Sequence, residues 1–185
     1  ISMNILIAED HSTLQKVIVK IIKKHFGGDT LNLHIANNGN EALEILRNHD
    51  IDLMTSDINM PLKSGLDVLK ELRTGVGTLD KNQNIPVIII SAYEPSYVEK
   101  YKSLQFADIF TKPFDVKTLV DSINRIISSP DDTKDGKTIS VSSQEGKFKK
   151  ILEVFIAEEN ISDMVHLSLL DRYNKKIVQQ LEKDN

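Results

Sequence analysis

The 185-residue sequence contains no cysteine. That excludes disulfides, thiolate metal sites and a cysteine nucleophile, and it suits a reducing, cytoplasmic compartment. No apolar run approaches the roughly 20 residues that cross a bilayer, and the chain opens on a strand-like run rather than a charged leader. Membrane insertion is therefore not expected. Ile1 and Ser2 read as a remnant ahead of Met3, the expected natural start. Neither a G-x-x-x-x-G-K-[ST] stretch nor a dinucleotide fingerprint occurs, which disfavours nucleotide binding. The five histidines show no metal-ligand spacing among themselves. A net charge of −4 offers no general attraction for nucleic acid.

What the chain does have is a 40% hydrophobic content arranged in alternating short runs and amphipathic stretches. Residues 4–8 form an apolar run that stops at Glu9 and Asp10. Ser12 is placed to cap a helix carrying Leu14, Val17, Ile18, Ile21 and Ile22 at helical spacing. Residues 31–36 alternate like a strand, and a helix bearing Ala42, Leu43, Ile45 and Leu46 follows. Residues 53–56 lead into Asp57, after which Met60-Pro61 and Gly65 force a turn. Leu66, Val68, Leu69 and Leu72 mark a third helix, and the polar loop over 74–84 is long enough to suggest mobility. Residues 86–90 are a β-branched run suited to a strand buried on both faces. Residues 96–104 read as a polar helix, 108–111 as a last strand, and Leu119, Ile123, Ile126 and Ile127 as the stripe of a closing helix. Five strands alternating with five helices predict an α/β fold: a doubly wound, flavodoxin-like three-layer sandwich around a five-stranded parallel sheet.

In a parallel sheet, strand ends of one polarity share an edge. Glu9, Asp10, Asp57, Ser91 and Lys112 each fall at or just beyond a predicted strand end, so they should converge. Singly, each has an ordinary reading: acidic pairs cap helices, an Asp ends a strand, a Lys lies on a surface. Together, three carboxylates repel one another unless a counter-charge is present, and a hard divalent cation such as Mg²⁺ fits a site of carboxylates, a carbonyl and water. Cation, Lys112 ammonium and Ser91 hydroxyl could stabilise a phosphoryl group moving in line to the Asp57 carboxylate. Ala92 leaves room for it.

The pair Glu9-Asp10, Asp57 with Met60-Pro61 and Gly65 behind it, Ser91-Ala92, and Lys112-Pro113-Phe114 occur in an order and spacing that resembles the receiver domain of two-component response regulators, over residues 3–129. The resemblance implies that Asp57 is phosphorylated by a sensor histidine kinase or phosphotransfer protein. It further implies that Glu9, Asp10, Asp57 and the Asn59 carbonyl bind Mg²⁺, that the Lys112-Pro113 bond is cis, and that the protein is a switch with self-catalysed transfer and hydrolysis rather than a metabolic enzyme. In that family the hydroxyl at the Ser91 position is coupled to an aromatic residue three positions before the lysine. Here that position is Ile109, leaving Phe110 or Tyr93 to contribute a different aromatic movement. The readout surface is expected on helix 96–104, the strand around Ile109 and the closing helix, where it would contact a downstream protein target.

Beyond the receiver, residues 130–147 are rich in Ser, Asp, Lys, Thr and Gly and read as a flexible linker. Residues 148–185 read as a helical extension that packs on the receiver, self-associates into a homodimer through Leu170, Ile177 and Leu181, or begins an output region. It carries six Lys or Arg against seven Asp or Glu, which makes DNA binding a poor expectation. Two other function classes stay open: a small-molecule phosphatase with Asp57 as nucleophile, although Asn59 cannot serve as its general acid, and a receiver-shaped interaction module that is never phosphorylated.

Overall fold

The computed structural model describes residues 2–93, 97–98 and 100–128. In chain order the elements are β1 (Met3–Ala8), α1 (Ser12–Phe26), β2 (Leu31–Ala36), α2 (Gly39–Asn48), β3 (Leu53–Ser56), α3 (Gly65–Thr74), β4 (Val87–Ser91), β5 (Asp108–Thr111) and α4 (Val116–Ser128). The five strands are all parallel and lie in the order β2-β1-β3-β4-β5. This is the flavodoxin-like order expected from the alternation, and it reverses direction between β1 and β3. The linker 130–147 and the extension 148–185 lie outside the described residues.

Period-two alternation along the strands sends side chains to two separate cores. Ile5, Ile7, Ile88, Ile90 and Phe110 pack with α1 and α4 on one face. Leu6, Ala8, Met54, Val87, Ile89 and Ile109 pack with α2 and α3 on the other. All five residues of β4 are buried, as its β-branched run requires of a strand covered on both sides.

Three expectations are revised. Ser12 does not cap α1: the helix begins at Ser12, and the cap position belongs to His11, whose backbone amide donates to Glu9 Oε1 at 3.0 Å. Of the helix expected over 96–104, Tyr97 and Val98 are helical, Lys102–Leu104 form a short 3-10 turn, and residues 96 and 99 lie outside the described residues. The polar connection between α3 and β4 is pinned rather than loose. Asn82, wholly buried, donates to the Leu46 and His49 carbonyls at 2.8 Å and accepts from the Ile51 amide at 3.0 Å.

Arg73 is the second fastener of this side. Its guanidinium donates to the backbone carbonyls of Gln83, Ile85, Leu104 and Gln105 at 2.7 to 2.9 Å. Burial lowers its pKa to about 10, so it remains charged at neutral pH. One planar fork thus ties the end of α3 to the entry of β4 and to the turn that precedes β5. Arg73→Met should lower the unfolding free energy by about 3 kcal/mol, and Arg73→Lys should recover only part of it, because one ammonium cannot reach all these carbonyls. Urea denaturation of both variants checks this.

Candidate functional site

The β1–β3 reversal opens a crevice at the carboxyl edge of the sheet, and both flanking strands deliver carboxylates into it. The register does the placing. Ala8 lies beside Ser56, so Glu9 and Asp57 emerge next to each other, and the Asp57 amide donates to the Ala8 carbonyl at 2.9 Å. On the other side, Ser91 lies beside Thr111, and its carbonyl accepts the Lys112 amide at 2.7 Å. The Lys112–Pro113 peptide is cis, and Phe114 behind it is buried in the α1/α4 core.

Lys112 Nζ lies 2.7 Å from Glu9 Oε2 and 2.7 Å from Asp57 Oδ2. All three side chains are nearly inaccessible, at 8%, 1% and 8% exposure. Asp10 is exposed at the mouth, and carboxylate oxygens of Glu9, Asp10 and Asp57 lie within 4.8 Å of one another. Burial pushes the Glu9 carboxyl above its ordinary value; Lys112 opposes that shift and Asp57 reinforces it. Three ionised carboxylates and one ammonium leave a formal charge of −2. An all-oxygen cluster with that residual charge matches a hard divalent cation and not a soft one.

Of the expected site residues, Glu9, Asp10, Asp57 and Lys112 are brought together. Asn59 is adjacent, with its backbone amide donating to Asp57 Oδ1 at 3.2 Å. Ser91 is wholly buried at the end of β4, and among the described residues no hydrogen bond joins it to Asp57; its Oγ accepts the Tyr93 amide at 3.3 Å. Ile109 is buried in the α2/α3 core and Phe110 in the opposite one, so Phe110 does not stand in for an aromatic at position 109.

Gly65, read from the sequence as a turn former within the motif behind Asp57, has a steric role at the site. It opens α3, and its amide donates to the Ile58 carbonyl at 2.9 Å. A Cβ there would sit 2.0 Å from the Asp57 carbonyl oxygen and 2.7 Å from Ser56 Oγ. The loop can therefore fold back under the Asp57 backbone only with glycine at this position. Ser64 caps the helix it starts, accepting from the Asp67 amide at 3.1 Å.

The family profile of the response regulator receiver domain matches residues 5–124. Response regulator RR06 of Streptococcus pneumoniae is 32% identical over 126 residues, covering 68% of this chain and 53% of its own length. Chemotaxis protein CheY-3 of Vibrio cholerae is 32% identical over 127 residues, covering 68% of this chain and 92% of its own. A solved structure of a DNA-binding response regulator of the LuxR family from Staphylococcus aureus is similar with a TM-score of 0.57 and 31% identity, over 67% of this chain and 98% of that one. Several longer relatives are matched over only about half to two thirds of their length.

Gly65→Ala should cost about 1 to 3 kcal/mol of stability and shift the Asp57 amide resonance, because backbone has to move to admit the methyl. Gly28→Ala is the control: a Cβ there meets nothing within 4 Å. Denaturant melts and amide spectra of the two variants compare the sites directly.

Proposed function

The chain belongs to the response regulator receiver family, and from that premise we propose that Asp57 is its phosphoacceptor. The observation that carries this is the Asp57 carboxylate held beside Glu9 and bound by Lys112 at the carboxyl edge of the sheet. In the proposed reaction an Asp57 carboxylate oxygen attacks the phosphorus of a phosphohistidine on a sensor kinase or phosphotransfer protein. The P–N bond breaks as the O–P bond forms, and the imidazole leaves with the electron pair. Water later hydrolyses the acyl phosphate, returning Asp57 and inorganic phosphate.

Lys112 holds Asp57 oriented and supplies a fixed positive charge for the incoming phosphoryl oxygens. The Asn59 amide fixes the other carboxylate oxygen. Ser91 offers a hydroxyl from β4, and a dianionic acceptor strengthens such a hydrogen bond. Glu9, Asp10, Asp57 and the Asn59 carbonyl would hold Mg²⁺, which when bound supplies further charge neutralisation to the phosphoryl oxygens.

Phosphorylation would then change the surface formed by residues around β5 and α4, and through it a downstream protein in the cytoplasm. The receiver unit spans 3–129, with 130–147 as linker and 148–185 as an interaction or dimerisation region. Relatives of this chain include both the chemotaxis protein CheY-3 and a regulator described as DNA-binding, so a protein target and a DNA-linked output are both compatible with the family.

Incubation with Mg²⁺ and acetyl phosphate should add one phosphoryl group to the intact mass. Asp57→Asn and a chelator should each abolish the addition, and Lys112→Ala should permit some uptake while impairing the conformational response. Metal binding without any addition would favour an unphosphorylated interaction module. Rapid donor turnover with no accumulated adduct would mark a hydrolase.

A further inference from the structure

Three tyrosines form a continuous aromatic ladder beside the site. The Tyr93 and Tyr97 rings stack with centroids 4.6 Å apart and planes 21° apart, and Tyr97 and Tyr101 meet at 5.9 Å and 53°. Tyr93 and Tyr97 are exposed, at 38% and 37%, whereas Tyr101 packs against the α2/α3 core that contains Ile109.

Both ends of the ladder are attached. At the near end, the Tyr93 amide donates to the Ser91 hydroxyl oxygen at 3.3 Å. That is a long bond for N–H···O and a weak one. Beyond Tyr101, the Leu104 and Gln105 carbonyls are gripped by Arg73 at 2.9 and 2.8 Å. A displacement starting at Tyr93 therefore meets a fixed point just past Tyr101.

We propose that Tyr93 is a positioning residue that couples the Ser91 hydroxyl to the Tyr93–Tyr97–Tyr101 stack, so that the ladder reports the state of Asp57 where Ile109 cannot. The proposal rests on the phosphoacceptor reading. A hydroxyl has one proton to donate, and a phosphoryl dianion on Asp57 draws it with a charge-assisted bond roughly twice as strong as a neutral one. When Ser91 Oγ turns, the Tyr93 amide follows its acceptor or loses it. Either result moves the Tyr93 ring, and a stack at 4.6 Å cannot slide without altering the packing of Tyr97 and then Tyr101. Ile109 is a buried aliphatic with no hydroxyl and no ring to transmit that motion, and Phe110 faces the other core.

The test uses the full chain with ring-¹³C-labelled tyrosine, each signal assigned by a single Tyr→Phe substitution. Mg²⁺ and acetyl phosphate are added, and intact mass is recorded on the same sample. The Tyr93, Tyr97 and Tyr101 resonances should shift together in proportion to the phosphoryl adduct. At a matched adduct level, Ser91→Ala should lose the shift at all three, and Tyr97→Leu should retain the adduct but lose the shift at Tyr101. Adduct with an unmoved Tyr101 signal in the unsubstituted protein overturns the coupling and leaves the phosphoacceptor reading intact, as does a full Tyr101 shift in either variant. Absence of adduct in the unsubstituted protein overturns the phosphoacceptor reading and the coupling with it.

Discussion

The structure depends on one electrostatic arrangement: a buried lysine ammonium held 2.7 Å from two buried carboxylates at the end of a parallel sheet. Removing the ammonium would leave two buried carboxylates facing each other without compensation in a medium that solvates them poorly. The fold is built around that constraint. β1 and β3 are adjacent so that Glu9 and Asp57 meet, and β4 and β5 are extended in register so that Lys112 arrives from the far side. Counting Asp10 at the mouth, three carboxylates face one ammonium, and burial pushes the Glu9 carboxyl above its ordinary value. An all-oxygen cluster with one ammonium among three carboxylates has room in its charge balance for a hard divalent cation.

Around this centre, side chains that look incidental do the positioning. Gly65 clears the space under the Asp57 carbonyl, and Asn59 spends its amide on the Asp57 carboxylate. Further out, Asn82 and Arg73 turn two irregular connections into fixed points by saturating backbone carbonyls. The structure thus contrasts a rigid α2/α3 side with a surface ladder of tyrosines that has one weak attachment next to Ser91.

Much of this is legible in the sequence alone. Glu9, Asp10, Asp57 and Lys112 could be placed together because strand ends in a parallel sheet must share an edge, and β4 was evident because only a strand buried on both sides tolerates an unbroken β-branched run. Interactions that depend on distant backbone were not. Arg73 reads as an ordinary residue near the end of a helix, and its carbonyl partners lie 10 to 32 positions away. Asn82 sits in a stretch whose composition suggests a loose loop, and only tertiary packing reveals it as a buried plug. Gly65 could be identified as a breaker but not as the floor of the site. Ser12 has the right chemistry for a cap, yet the helix begins at Ser12 itself, and the cap position falls one residue earlier on His11, whose amide is taken by Glu9.

The most direct measurement is chemical trapping of the acyl phosphate. Borohydride reduces an aspartyl phosphate to homoserine, and peptide mapping of the full chain after treatment with phosphodonor and Mg²⁺ locates the converted residue. Conversion at position 57 alone, requiring both donor and metal, is the result the account predicts. Conversion at any other carboxylate, or none while phosphoryl groups are demonstrably attached to the protein, would contradict it.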